Sequence, residues 1–190
     1  MLRLSCIPLI FLAVFVRPRW SVGSDTAFVI ELCGYLFLLA GLAVRMWSIL
    51  YIGGRKSQQL ITAGPYSLCR HPLYIGTFLL AIGAAVCFEN VLLLVAIILL
   101  FIPLHLIVAR LEDHHLELRF PREYSVYAQR VPSFWPRFRN YHGKKELLIS
   151  TRVIGRVMLD TMAVLLIPQL EDLLEVLHEA GLVPVLWHFP

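Results

Sequence analysis

The stretch LYIGTFLLAIGAAVCFENVLLLVAIILLFIPLHLIV, Leu73 to Val108, holds two apolar runs, Leu73–Phe88 and Val91–Val108, parted only by Glu89-Asn90. So short a polar step leaves room for nothing but a tight helical hairpin, and the chain returns to the side from which it came. About 20 apolar residues carry a helix across the hydrocarbon core. A helix is also the form in which a lone segment satisfies its own backbone N–H and C=O groups in lipid. The hairpin therefore sets the fold class: all-α, a polytopic membrane helical bundle.

Outward from the hairpin, Ala27 to about Tyr51 is interrupted only by Glu31 and Arg45 and is expected to span. The run Leu4–Val16 is short for a span and is stopped by Arg17-Pro18-Arg19; it reads as a retained or half-inserted first helix, or as a signal-peptide core without an A-x-A cleavage site directly after it. Beyond the hairpin lies the arginine-rich segment Arg110–Lys145. The region from Leu147 gives a weaker helix up to Ile167, carrying Arg152, Arg156 and Asp160. An amphipathic piece follows Pro168, with Leu170, Leu173, Leu174 and Leu177 at helical spacing. The expected total is four to five spans. Basic residues mark the cytoplasmic side, which puts the Arg55-Lys56 loop, Arg70 and the segment after the fourth span there. Arg17 and Arg19 fall on the other side if the first helix spans fully, a conflict that a short, tilted or re-entrant helix removes.

With 58% hydrophobic and 16% charged residues among 190, the chain departs from the roughly 25% charged residues of soluble domains. Its formal net charge of +4 points to anionic lipid rather than to nucleic acid. No linker, repeat or low-complexity tract divides it, so residues 1–190 are expected to form a single domain, with a core motif region at 41–136 and a helical extension at 141–190. The oligomeric state stays open. Cys6, Cys33, Cys69 and Cys87 show no CxxC and read as small buried hydrophobes.

Two polar constellations interrupt the apolar pattern. In GPYSLCRHPLY, Gly64–Tyr74, Gly64-Pro65 signals a turn and Pro72 biases His71 away from helical geometry, so irregular backbone is expected at the mouth of the third span. Such backbone survives near lipid only where protein or water satisfies it. It presents N–H groups, His71 and two tyrosine hydroxyls to a polar ligand, or else serves as an interfacial anchor with Arg70 snorkelling and Tyr66 and Tyr74 in an aromatic belt. The second constellation opens with Glu112-Asp113 at the hydrocarbon boundary, where carboxylates call for partners: Arg110, Arg70 across the bundle, or a bound cation. Leu116, one turn on, points back to the bundle. His114 and His115 point about 100° apart on a helix and do not make a metal site, so no metal is expected. His105 reads as a packing histidine.

The run LITAGPYSLCRHPLYIG, Leu60–Gly76, followed by EDHHLELRFPREYSVYAQRVPSFWP, Glu112–Pro136, resembles the isoprenylcysteine carboxyl methyltransferase and phospholipid methyltransferase family of integral membrane enzymes. Its pattern is L-x-x-x-G-P-Y into R-H-P-x-Y, then an acidic pair, a leucine, F-G-x-E-Y and V-P-x-x-x-P. Gly64, Pro65, Tyr66, Arg70, His71, Pro72, Tyr74, Glu112, Phe120, Glu123 and Tyr124 match. Asp113 stands where the family usually has glutamate, and Pro121 where it usually has glycine.

The resemblance implies S-adenosylmethionine as cofactor, bound on the cytosolic side, and a lipid-like acceptor drawn from the bilayer: a prenylcysteine-like carboxylate, a phospholipid amine or another small lipophilic molecule. Gly64, Tyr66, Arg70, His71, Pro72, Tyr74, Glu112, Asp113 and Tyr124 are then the expected cofactor residues, with His71, Arg110 and Glu112 in catalysis. A carboxylate acceptor needs only an orienting cation such as Arg110 or Arg130, whereas an amine or thiol must lose a proton to His71 or Glu112. Two other readings compete. NADPH-dependent sterol-reductase-like enzymes share a similar turn, but their following acidic residue and tryptophans are missing after Tyr74; a non-enzymatic scaffold would tolerate loss of His71 and Glu112.

Overall fold

The computed structural model describes residues 16–18, 25–53, 59–144, 147, 151–184 and 187–189. Apart from one parallel strand pair, β1 (Val16–Pro18) with β2 (Trp187–Phe189), the regular elements described are helical. The all-α class expected from the sequence therefore holds except for this three-residue pairing.

The long run from residue 27 lies in α1 (Asp25–Ile52). A single turn, α2 (Pro65–Leu68), precedes α3 (Pro72–Cys87), and the hairpin returns through α4 (Val91–Arg119). The tight connection is built as the sequence requires: Glu89 takes a positive φ of 46°, and the Asn90 side chain accepts the Leu93 N–H at 2.9 Å, capping α4. Within α4, Ile97–Phe101 widens to a π-helix just before Pro103, the residue that cannot donate to the preceding turn. Then come α5 (Pro121–Arg130), a short turn at Phe138–Asn140, α6 (Thr151–Leu165) and α7 (Ile167–Glu179). The weaker helix expected from Leu147 begins at Thr151, and the break before Pro168 bends the last two helices by 42°.

Two helices, within Phe28–Ile52 and Val91–Arg119, are long and apolar enough to cross a membrane, and a third span results if the bent α6–α7 pair counts as one. The apolar run Leu73–Phe88 forms a 16-residue helix, shorter than a full span. Leu4–Val16, save Val16, and the Arg55-Lys56 loop lie outside the described residues. Large apolar side chains stay exposed along both long helices, among them Phe28, Leu36, Leu99 and Leu111. Water penalises such surface; lipid does not. The protein is a membrane protein.

The chain divides into two compact units. One comprises residues 1–40, 79–103 and 162–190; in it a Cβ on Gly83 would fall 2.8 Å from Leu38 N, so α1 and α3 meet backbone to backbone through small residues. The other comprises residues 41–78 and 104–161, and a Cβ on Gly76 would fall 2.9 Å from Arg45 N. This second unit contains both polar constellations.

Candidate active site

The site begins with a turn that only glycine can make. Gly64 sits at φ 65°, and a Cβ there would lie 2.3 Å from the Tyr51 ring. Ser67 Oγ donates to Gly64 O at 2.6 Å and accepts the His142 N–H at 3.1 Å, while Gly64 N donates to His142 O at 2.8 Å. Beyond α2 the chain extends at Cys69, and Pro72 keeps His71, the residue before it, out of helical geometry. There Arg70 N donates to Pro132 O (2.8 Å), His71 N to Ser133 O (3.0 Å), and Arg137 N returns to Leu68 O (3.0 Å). The irregular backbone expected from the sequence is present, and the 132–142 segment satisfies it.

Asp113 is the hub of the side chains this turn presents. Arg70 Nη1 donates to Asp113 Oδ2 at 2.9 Å and to the Tyr124 hydroxyl at 2.6 Å, and Arg70 Nη2 donates to Ser133 Oγ. The Tyr124 hydroxyl in turn donates to Asp113 Oδ1. His71 Nε2 lies 2.9 Å from the same oxygen, near enough for an ion pair but not aligned as a hydrogen bond. The His71 ring stacks on Phe134 with centroids 5.1 Å apart and meets the edge of Tyr74 at 5.7 Å. Of the partners that the sequence offered Asp113, the structure selects Arg70. A carboxylate there without a partner would cost up to about 3 kcal/mol, which explains why three groups converge on it.

Beside this network lies a cavity of about 100 Å³. Its polar wall carries Tyr66, Arg70, His71, Tyr74, Glu112, Tyr124 and Tyr127, and its apolar wall Ile52, Leu60, Ile61, Leu73 and Leu116. The Tyr74 hydroxyl donates to Glu112 Oε2 at 3.2 Å, and the Tyr127 hydroxyl donates to Tyr66 O at 2.7 Å. Three buried polar atoms of this wall make no hydrogen bond among the described residues: the Tyr66 hydroxyl, Arg70 Nε and His71 Nε2. His71 Nε2 has Asp113 beside it, but the other two are costly without a partner, so a cavity edged by them is suited to a polar ligand.

The phenols and the thiol around the cavity are held protonated. Burial raises Tyr66 and Tyr127 well above the usual tyrosine value, and burial with the neighbouring Asp113 carboxylate raises Tyr124. Burial pushes the Cys69 thiol up to about 11. Tyr124 and Tyr127 therefore keep the protons they donate to Asp113 and to Tyr66 O, and the Tyr66 hydroxyl keeps one to offer.

Of the residues singled out in the sequence, Tyr66, Arg70, His71, Tyr74, Glu112 and Tyr124 come together on the cavity wall; Asp113 stands behind them, and Gly64 and Pro72 shape the turn. Arg110 is exposed and does not line the cavity. Tyr127, Ser133 and Phe134 were missed. Tyr127 sits three residues beyond Tyr124 on α5, so helical spacing was the available signal. Pro121 opens α5 at its first turn, where a missing N–H costs nothing, so the departure from glycine leaves a regular helix start. His105 is buried against the edges of Tyr74 and Phe78. Among the described residues, no group of three or more His, Cys, Asp or Glu side chains is disposed to hold a metal ion.

The phospholipid methyltransferase family model matches residues 29–123, which include the turn, the acidic pair and Glu123. The cobalt-zinc-cadmium resistance protein CzcN of Cupriavidus metallidurans is 33% identical over 168 residues, 88% of this chain and 77% of that protein. The nickel-cobalt-cadmium resistance protein NccN of Alcaligenes xylosoxydans xylosoxydans is 39% identical over 118 residues, 62% of this chain and 55% of that one. Protein-S-isoprenylcysteine O-methyltransferase B of Arabidopsis thaliana is 32% identical over 88 residues, 46% of this chain and 45% of that enzyme. The chain thus spans about half the length of the latter two relatives. No solved structure matches it. A family model covering half the chain, laid over the segments that build the cavity, leads to one assignment: the chain belongs to the phospholipid methyltransferase family.

Proposed function

We propose that the protein transfers a methyl group from S-adenosylmethionine to a lipophilic acceptor at the cytoplasmic membrane face, in a bundle of four to five spans. One observation carries the reading: Tyr66 Oη and Arg70 Nε, buried and without a hydrogen-bond partner among the described residues, edge the same cavity as His71 and the Glu112 carboxylate. That donor set fits the cofactor, which combines an ammonium, a carboxylate and a sulfonium. Glu112 suits the cationic groups, and Arg70, His71 and Tyr66 suit the carboxylate or ribose hydroxyls. At about 100 Å³ the cavity is smaller than the roughly 300–1,000 Å³ of typical small-molecule sites, so it takes one end of such a molecule.

The cofactor when bound supplies a methyl carbon on a positive sulfur: the acceptor's lone pair forms the new bond, the carbon–sulfur bond breaks, and its electron pair stays on sulfur. The chain's part is to hold the two reactants in line and dry. Ile52, Leu60, Leu73 and Leu116 exclude water from the cavity wall, which strengthens every electrostatic contact inside it. The Arg70–Asp113–Tyr124 network fixes His71 and the turn without itself needing to move. An acceptor carboxylate would react without losing a proton. An amine would give one up, with Glu112, on the cavity wall, in reach to receive it.

Calorimetric titration of the purified protein in detergent tests the reading, with S-adenosylmethionine and S-adenosylhomocysteine as ligands and NADPH as control. Binding of the first two that is lost in Glu112→Ala, followed by labelled methyl transfer into a lipid extract, is the expected result. Binding of NADPH alone would replace the proposal with a reductase.

A further inference from the structure

A second cavity, of about 560 Å³, lies on the other side of Tyr127. It shares Tyr127 with the first cavity but none of that cavity's charged residues. Arg130, Arg137, Asn140 and His142 contribute to its wall together with Ser67 and Glu123. The frame is rigid. Arg137 N donates to Leu68 O, Asn140 Nδ2 to Arg130 O at 2.9 Å, and His142 N to Ser67 Oγ, so the segment carrying these side chains is tied to both α5 and the Gly64 turn.

Two arginines, Arg130 and Arg137, line this cavity with one carboxylate, Glu123, an excess of positive charge. Neither guanidinium has a side-chain partner among the described residues. Each offers a planar fork of N–H donors that matches a phosphate oxyanion. The surrounding surface names the source of that phosphate. Trp135 is 85% exposed, Phe138 76% and Tyr141 54%, flanking Arg137 and Arg139 just after α5 ends, and the Tyr141 ring meets Trp47 of α1 at 6.0 Å. Exposed aromatics interleaved with arginines next to a membrane helix belong in the headgroup layer.

We propose that this cleft binds the phosphate of an anionic lipid headgroup, seating the 130–142 segment on the membrane surface. The site stands apart from the methyl-transfer reading, because its readout is lipid binding alone.

The test is a thermal-shift titration of the full-length protein in a neutral detergent with dihexanoyl phosphatidic acid, inorganic phosphate and dihexanoyl phosphatidylcholine. The expected result is a concentration-dependent rise in Tm with phosphatidic acid that needs at least about tenfold more lipid in Arg130→Gln/Arg137→Gln. Glu123→Gln, which removes the opposing carboxylate, should lower the half-maximal lipid concentration severalfold and covers the case in which the double variant fails to fold. An equal response to inorganic phosphate would overturn the lipid assignment in favour of free phosphate. Equal responses to the zwitterionic lipid, an unaltered response in the variants, or none in the wild type would overturn the site.

Discussion

The turn at residues 64–74 and the helix pair α6–α7 are held by opposite means. In the turn, the backbone is tied to distant segments at Gly64, Arg70 and His71, and Asp113 alone serves Arg70, His71 and Tyr124. In α6, the polar side-chain ties to another element among the described residues are Arg45 to Asp160 at 3.2 Å and Thr161 Oγ1 to Met46 S at 3.6 Å; Val153, Val157 and Val164 are buried, while Ile154, Met158 and Leu159 are exposed. A polar network admits few substitutions, because each partner left behind stays buried and unsatisfied. An amphipathic face admits many, since it asks only for apolar residues at the right spacing.

Five experiments would break or sharpen this contrast. The largest effect belongs to Arg70→Ala, which leaves Asp113 without its guanidinium. Breaking such a partly buried pair costs about 3 kcal/mol, and S-adenosylmethionine binding should vanish in calorimetry. Unchanged Tm and binding would show that the network is ornamental. Gly64→Ala comes next. The positive φ alone costs about 1–2 kcal/mol, and the Tyr51 ring adds to it; the added part should return in the Gly64→Ala/Tyr51→Ala double variant.

Alkali should loosen the turn before it loosens the helix pair. The folded state holds the Cys69 proton up to about 11 against an ordinary 9.0, and the buried phenols likewise. That stability is fully present below the unfolded thiol value and is lost as pH rises from about 9 towards 11. Hydrogen exchange at pH 8 and pH 10.5 should show protection falling first at residues 64–74, and uniform loss would contradict it. Tyr127→Phe removes the donor to Tyr66 O and should lower stability by about 1 kcal/mol, measured as a fall in Tm. Gly155→Ala is smallest and of opposite sign. A Cβ there meets nothing within 4 Å, so the helix should gain about 0.5–1 kcal/mol and Tm should rise.

The same contrast explains what the sequence disclosed. GPY, RHP and the acidic pair were readable as polar constellations because turn chemistry, a pre-proline residue and charge at a membrane boundary are local signals; reading them as a cofactor site rather than an interfacial anchor took the family resemblance. Their pairing was not readable. Whether Arg70 or the nearby Arg110 neutralised the pair depends on contacts between residues 43 positions apart, and Tyr127 reaches Tyr66 across 61. Helix spacing revealed α6 and α7 as helices, yet their starts, at Thr151 and Ile167, rest on backbone that apolar periodicity does not specify. The expected single hairpin turn at Glu89-Asn90 was legible to the residue, because an asparagine cap and a two-residue step leave one solution.

The long reach of Arg70 also has a clock. Its bond to Ser133 spans 63 residues, so at the ribosome's roughly 5–20 residues per second the guanidinium waits about 3–13 seconds before that partner has even been made. Asp113 and Tyr124 are made before Ser133, so the contacts of Arg70 become possible in chain order and the set is complete only when the segment after α5 arrives.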